Sequence, residues 1–480
     1  MPQPSSDQQR SFHSWRASCL LCLAALLCAA ALGIVPTRAA GGTAGANATE
    51  RLTLSQSVKQ GLEVHPRIKA AQAEVRKAQA NIGEKRSGFL PSLTAEAGSQ
   101  DITSLHASGP TDQDYIDQRI DTVSLRLTQT LFSGLTVLNS YQKAKLRVEV
   151  MRARRDREEV TLIRDIQTEF LKLLKAKEDI ASHRDSIERL KVNLEKARSF
   201  HRRQVVPYVR VLQAEVDLAD AEQKLSRAKN ELYVQRERLR TLLQLDSGRD
   251  PEYKGDLENF TYEYDRSLQE CLEYAYANRP ELASARKSLQ MAREELAVQK
   301  GKFSPQVQVS GSLIHRNTDF EAKRQTRLGS LDRDQKNNYA SVQIQLSWDL
   351  FQGGRRYYQH EKAQEEIRRL RYQMQSTRTR IRTEVRSNYS MLREAKSRIR
   401  STKAAVRAAR EGYNRAKKRY ESEIGTLPEL LDAQARLSRA EANQNQALVD
   451  YQLAMARLYY AMGKQNPDLR PRALSADSSG

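Results

Sequence analysis

The chain has 480 residues, with 80 Lys or Arg against 59 Asp or Glu, a formal charge of +21 and a mean hydropathy of −0.71. After the first 46 residues no apolar run approaches the roughly 20 residues that a membrane helix needs, which excludes an ordinary helical membrane protein. Glycine (21) and proline (13) are sparse, and apolar residues recur with helical spacing, so the polarity signals long helices rather than disorder.

The N-terminus reads as a secretory signal over residues 1–46. Arg10 and Arg16 form a basic region, Cys19 to Val35 is apolar, and Ala44-Gly45-Ala46 fits a small-x-small cleavage site. A retained signal anchor is the alternative reading, but the apolar run is short for a span. Cys19, Cys22 and Cys28 lie inside this signal, so the exported chain keeps Cys271 alone and has no internal disulfide. Cys271 is expected to be a small core residue. Export also argues against the nucleic-acid partner that a basic chain would otherwise suggest.

A short helix is expected from about Leu54 to Val64, a second from Pro66 to about Gly88, and Pro91 ends it. Ser92–Gln100 and Thr122–Leu131 alternate apolar and polar residues over about ten positions, as in a barrel strand. The polar stretch between them, Asp101 to Arg119, reads as a loop. From Thr136 to about Arg203 no proline intervenes, giving a helix of about 100 Å at ~1.5 Å per residue. After a break at Gln204–Val209, a return helix reaches about Leu245.

The plan then repeats. His65-Pro66 and Pro91 recur as Arg279-Pro280 and Pro305, an offset of 214 residues. Val123–Gly134 recurs as Val342–Gly353, and Leu212-Gln213-Ala214 as Leu431-Asp432-Ala433, an offset of 219. Helices are expected at Leu268–Asn278 and from Pro280 to about Gly301. Strands are expected at Gln306–His315 and Ala340–Phe351, a loop at Asn317–Asn338, and a long helical hairpin over 354–462. The organisation expected is therefore a signal (1–46), a first repeat (47–250; strand pair 92–131, hairpin 136–245), a second repeat (251–463; strand pair 306–351, hairpin 354–462) and a disordered tail (464–480).

Four strands cannot close a barrel, and an open edge in lipid is prohibitive, so several chains must pool them. No phosphate-binding glycine loop, metal-ligand spacing or Ser–His–Asp arrangement is present, so neither an enzyme nor a cofactor is expected.

Signal, duplicated halves, strands ending in Leu-Phe-Ser-Gly and Leu-Phe-Gln-Gly, and long hairpins together resemble the TolC-type outer-membrane efflux proteins. The most specific piece is Tyr420–Leu437 (YESEIGTLPELLDAQARL), which resembles the family's periplasmic tip motif. The resemblance implies a mainly helical fold: antiparallel hairpins forming an α-barrel, with four strands per chain entering one shared, trimeric transmembrane β-barrel. It implies an outer-membrane exit duct for efflux or type I secretion. The partners would be two further copies, a periplasmic adaptor, an inner-membrane pump or ABC transporter, and outer-membrane lipid. Glu429 and Asp432 would ring the periplasmic mouth, with capping of their helix as the alternative role. Gln204, Pro207, Gly425 and Thr426 would meet the adaptor, and Arg210 would pair with Glu429. The family's tip glycine is displaced here: Glu423 holds its place, and in the first half Gln204 does. The strong positive charge is also atypical. An exported coiled-coil scaffold without a pore is the rival reading, but it has no use for four amphipathic strands.

Overall fold

The computed structural model describes residues 51–109, 112–246, 249, 251–255, 266–322 and 335–463. The expected signal and C-terminal tail lie outside the described residues. Two long helical hairpins dominate, each preceded by two shorter helices and a pair of strands. The first set is β1 (Arg51–Leu52), α1 (Leu54–Val64), α2 (Pro66–Arg86), β2 (Ser92–Gly109), β3 (Asp112–Phe132), α3 (Thr136–Arg202) and α4 (Val209–Leu243). The second is β4 (Glu252–Tyr253), α5 (Leu268–Asn278), α6 (Pro280–Gly301), β5 (Gln306–Ala322), β6 (Gln335–Ser347), α7 (Arg355–Glu421) and α8 (Leu427–Met462).

Local chemistry sets the helix boundaries. Thr53 and Ser267 close capping boxes with Gln56 and Glu270 at the starts of α1 and α5. Pro66 and Pro280 then stand at the first position of α2 and α6, where a missing N–H costs nothing. α3 and α7 each run 67 residues, about 100 Å at ~1.5 Å per residue, as the absence of proline allows.

The four strands form one antiparallel sheet in the order β2-β3-β5-β6. Its register places Ala95, Leu125, Leu313 and Ala340 in one row, and Leu93, Leu127, Gly311 and Val342 in another. One face is therefore continuously apolar. Arg126, Ser312, Gln343 and Gln345 lie on the other. The outer edges of β2 and β6 pair with nothing among the described residues.

Two sequence expectations need correction. The stretches read as loops, 101–119 and 317–338, are strand wherever they are described: β2 reaches Gly109, β3 starts at Asp112, β5 reaches Ala322 and β6 starts at Gln335, while 110–111 and 323–334 lie outside the described residues. Main-chain hydrogen bonds carry the ladder beyond the apolar alternation, helped by cross-strand polar pairs such as Arg119–Asp101 at 3.0 Å. Apolar alternation marks only the part of a strand that meets apolar surroundings. The last strand also ends earlier than Phe351. Ser347 pairs with Gln306, the first residue of β5 after Pro305, so residues 348–351 have no ladder to join. Instead Trp348 Nε1 donates to Phe303 O (3.0 Å).

In the distal part, the helices lie side by side in the order α4-α3-α8-α7. Nearer the sheet the order is α2-α3-α6-α7. α1 packs on α3 and α4, and α5 on α7 and α8. One apolar cluster joins α1, α3, α4 and α8 around Phe170, Ile166 and Leu239, and a second joins α5, α7 and α8 around Ile381 and Leu458. Cys271 is fully buried in the second cluster, as its setting in α5 leads one to expect.

The backbones of the two halves meet closely at Gly134 and Gly301. Gly134 ends the Leu-Phe-Ser-Gly segment with φ +62°, and a Cβ there would lie 2.1 Å from Gly301 O. A Cβ on Gly301 would meet Gly134 O at 2.2 Å. Only hydrogen fits at either position, so Gly134→Ala is expected to cost at least about 1–3 kcal/mol through strain and backbone displacement. Thermal unfolding should show a clearly lowered midpoint for Gly134→Ala. Gly98→Ala, where a Cβ meets nothing within 4 Å, should leave the midpoint unchanged.

Candidate functional site

The far ends of the two hairpins form a single structure. Leu190, Leu194 and Ala197 of α3, Val211 and Ala214 of α4, Tyr413 and Tyr420 of α7, and Leu427, Leu430 and Leu431 of α8 share one apolar cluster. Phe200 and Tyr420 meet across the halves with ring centroids 5.2 Å apart. Lys196 bonds Glu421 beside them, and that hydrogen bond holds the Glu421 carboxyl below its usual range. The Tyr420 hydroxyl is buried without a hydrogen-bond partner among the described residues, and burial pushes its pKa up.

Both turns are built alike. Gln204 and Glu423 adopt left-handed backbone conformations, φ +61° and +59°, at positions 219 residues apart. Each helix is then closed by a bond five residues back: Val205 N–H to Phe200 O (2.9 Å) and Ile424 N–H to Arg419 O (3.0 Å). This is the position a glycine would occupy most cheaply. Gly425, the displaced tip glycine, is not at a positive φ. The second turn leads into α8 through Thr426, whose hydroxyl accepts from Glu429 N–H (3.4 Å), and Pro428 in the first turn. Pro207 replaces that cap in the first half, where the His201 ring spans the turn to Val206 O (3.0 Å) and packs against Tyr208.

Gln204, Pro207 and Thr426 are exposed at the hairpin ends, and Gly425 is half-buried. Val205, Tyr208, Val209 and Ile424 stand exposed around them, an apolar collar that motif reasoning missed. Its signal was the 219-residue repeat, which aligns Val205 with Ile424. Glu429 and Asp432 project from one flank of α8, away from Leu427, Leu430 and Leu431. Glu429 lies 3.9 Å from Arg419, and Asp432 pairs with Arg436 at 2.7 Å. All four side chains are well exposed, so neither pair adds more than about 1 kcal/mol. Arg210 donates to Gln213 on its own helix (3.2 Å) rather than reaching Glu429 within the chain. The tip thus sets two carboxylates and two small turns at the end of a rod, an arrangement suited to a mouth or a docking end. Among the described residues no cluster of His, Cys, Asp or Glu is arranged to hold a metal.

The left-handed carboxylate position generates a test. Glu423→Gly is expected to relieve about 1 kcal/mol of strain, and Glu423→Val to add about 1–2 kcal/mol. Hydrogen exchange at the Ile424 and Gly425 amides should slow in the first variant and quicken in the second.

The outer membrane efflux protein family pattern matches residues 58–244 and 271–464, one segment in each half. The chain is 23% identical over 417 residues to outer membrane protein TolC of Escherichia coli strain K12, covering 86% of this chain and 82% of that one. The CmeC outer membrane channel of Campylobacter jejuni superposes with a TM-score of 0.73 at 17% identity, covering 85% of each chain. The open state of the Neisseria gonorrhoeae MtrE outer membrane channel gives a TM-score of 0.70 at 17% identity, over 86% of this chain and 89% of that one. At such identities the structural likeness shows the fold, and the family match shows the membership. The chain belongs to the outer membrane efflux protein family: it is an efflux-channel subunit of the outer membrane, reaching into the periplasm, and not an enzyme.

Proposed function

We propose that three copies assemble into one continuous exit duct, which receives substrate from an inner-membrane pump or ABC transporter through a periplasmic adaptor. The observation that carries this reading is that, among the described residues, no layer closes. The sheet stops at β2 and β6, the distal helices at α4 and α7, and the proximal helices at α2 and α7. Open backbone edges cannot stand in lipid, and four strands fall short of the roughly eight a barrel needs. Three copies supply twelve. Each repeat, 47–250 and 251–463, then serves as one of six similar units around the axis, with the apolar sheet face toward lipid and the polar face toward water.

The internal repeat supplies the register of closure. Within the chain, α3 meets α8 through Ser186–Ser438 (3.1 Å), Gln434–Ser186 (3.3 Å) and Arg189–Glu441 (3.2 Å). Shifted by 219 residues, the same junction joins α4 of one copy to α7 of the next. Ala219 then meets Ala405, Glu215 meets Ala405, and Glu222 meets Ala408. With Cys271 replaced by serine, the pair Ala219→Cys and Ala405→Cys should oxidise to covalent trimers. The offset pair Ala219→Cys and Gly412→Cys should not. Equal cross-linking of the two pairs, or cross-linking confined to one chain, would overturn this closure and with it the duct.

In this duct Glu429 and Asp432 become two rings of three carboxylates at the periplasmic mouth, with Arg210 as the counter-charge that pairs with Glu429 between copies when the mouth is shut. Gln204, Pro207, Gly425 and Thr426 form the end that the adaptor meets. Such rings attract cations. Neutralising both acids, Glu429→Gln with Asp432→Asn, should weaken block by multivalent cations and reduce cation preference in single-channel recordings. Unchanged block and selectivity would leave helix capping as the role of both residues.

A further inference from the structure

The positive charge of the chain is concentrated on one helix. Between Arg378 and Arg419, α7 carries fifteen Lys or Arg and three Glu. The corresponding first-half stretch on α3, residues 159 to 200, carries nine and eight. The duplication therefore did not dictate this charge.

The placement is regular. Ile381, Val385, Leu392, Ala395, Val406, Tyr413 and Tyr420 form the buried stripe of α7, at steps of four, seven, three, eleven, seven and seven. A second stripe, Ser401, Ala405, Ala408 and Gly412, is small and lies where the neighbouring copy is placed above. A third stripe reads Arg386, Arg393, Lys396, Arg400, Lys403, Arg407, Arg410 and Lys417. Every seam position from Arg393 to Arg410, at steps of three, four, three, four and three, is Lys or Arg. At ~100° per residue this stripe stands roughly a quarter of a turn from the buried stripe and about two fifths of a turn from the small one. Most of it is exposed; Lys396 and Lys417 are half-buried. From Arg386 to Lys417 it extends about 47 Å at ~1.5 Å per residue.

An ordinary solvated helix face interleaves acids with bases, and like charges three and four residues apart destabilise a helix. Arg410 reaches Glu441 at 3.4 Å, but no acid stands within the stripe itself. On the opposite flank of α7, Arg398 and Arg419 approach Asp450 (2.8 Å) and Glu429 (3.9 Å). The ladder therefore lies on the other side of the helical wall from Glu429 and Asp432. If those acids face the lumen, as in the proposed duct, the ladder faces the periplasm.

We propose that this arginine–lysine ladder is a docking seam for an acidic α-helix of a periplasmic partner protein, one whose carboxylates repeat at steps of three and four. Two helices laid side by side match charges only when both carry that repeat, and a charged seam sets register and encounter rate. The inference rests on the duct reading for the ladder's outward direction alone.

The test uses the full-length protein in detergent and two synthetic helical peptides of about three heptads. One carries Glu at the matching three-four repeat; the other has the same composition scrambled. The matched peptide should bind at least about tenfold tighter than the scrambled one. Arg393→Glu, Arg400→Glu and Arg407→Glu together should remove that preference, and a lysine version of the matched peptide should restore binding to this variant. Should the triple variant fail to assemble, the corresponding Arg→Gln triple reads the same loss. Equal binding of matched peptide, scrambled peptide and polyphosphate would overturn the proposal in favour of a polyanion-attracting surface, as would unchanged binding by the substituted proteins. Single-channel conductance of the same preparations separates this from the duct. A conducting protein without peptide preference refutes the seam alone, whereas an assembled but non-conducting wild-type protein refutes the duct.

Discussion

The structure depends on an unclosed hydrogen-bond ladder. Among the described residues nothing pairs with the outer rows of main-chain donors and acceptors on β2 and β6, and in hydrocarbon each unpaired group costs several kcal/mol. No substitution of side chains removes that demand; only another strand does. The helical layers end in the same way, on α4 and on α7. Each layer is an open arc among the described residues, and in the proposed duct it forms one third of a ring.

Duplication makes the arc economical, and the two halves have since diverged at matched positions. At the start of α6, Arg279 is buried, donating to Tyr460 O (2.7 Å) and pairing with Glu384 and Glu281. The matching first-half residues are His65, Asp165 and Arg67. There the positive charge has moved from the cap to the second helical residue, where Arg67 reaches Glu158 (3.0 Å) and Asp165 (3.6 Å). His65 is left with its pKa lowered, chiefly by burial. Each arrangement balances charge locally, so each half keeps its short helix docked while presenting a different surface to its neighbour.

The tips show the same divergence. The turn geometry is conserved between halves through Gln204 and Glu423, although neither is glycine. What differs is the entry to the return helix: Thr426 caps α8, whereas Pro207 leaves α4 without a side-chain cap. The acids follow the capped helix, and the arginine ladder follows the helix before it. Both distinctive charge features therefore sit on the second hairpin, and the first hairpin acts as the more neutral partner.

The sequence by itself determined the helices and the twofold plan. Prolines at 66, 91, 280 and 305 fix where elements start and stop, and the spacing of apolar residues along 136–202 and 355–421 admits no other regular structure over such lengths. The exposed tip acids were legible because their motif survives in Tyr420–Leu437. The extent of the strands was not, since residues such as Asp101 and Arg119 are held by partners on another strand rather than by any pattern of their own. Nor was the contact between Gly134 and Gly301, two glycines 167 positions apart whose backbones meet only after both halves have packed. Which residues carry the left-handed turns, which buried ions find each other, and which faces remain unpaired are all decided by distances between segments remote in sequence. Local pattern fixes the backbone period. Only packing fixes what each period faces.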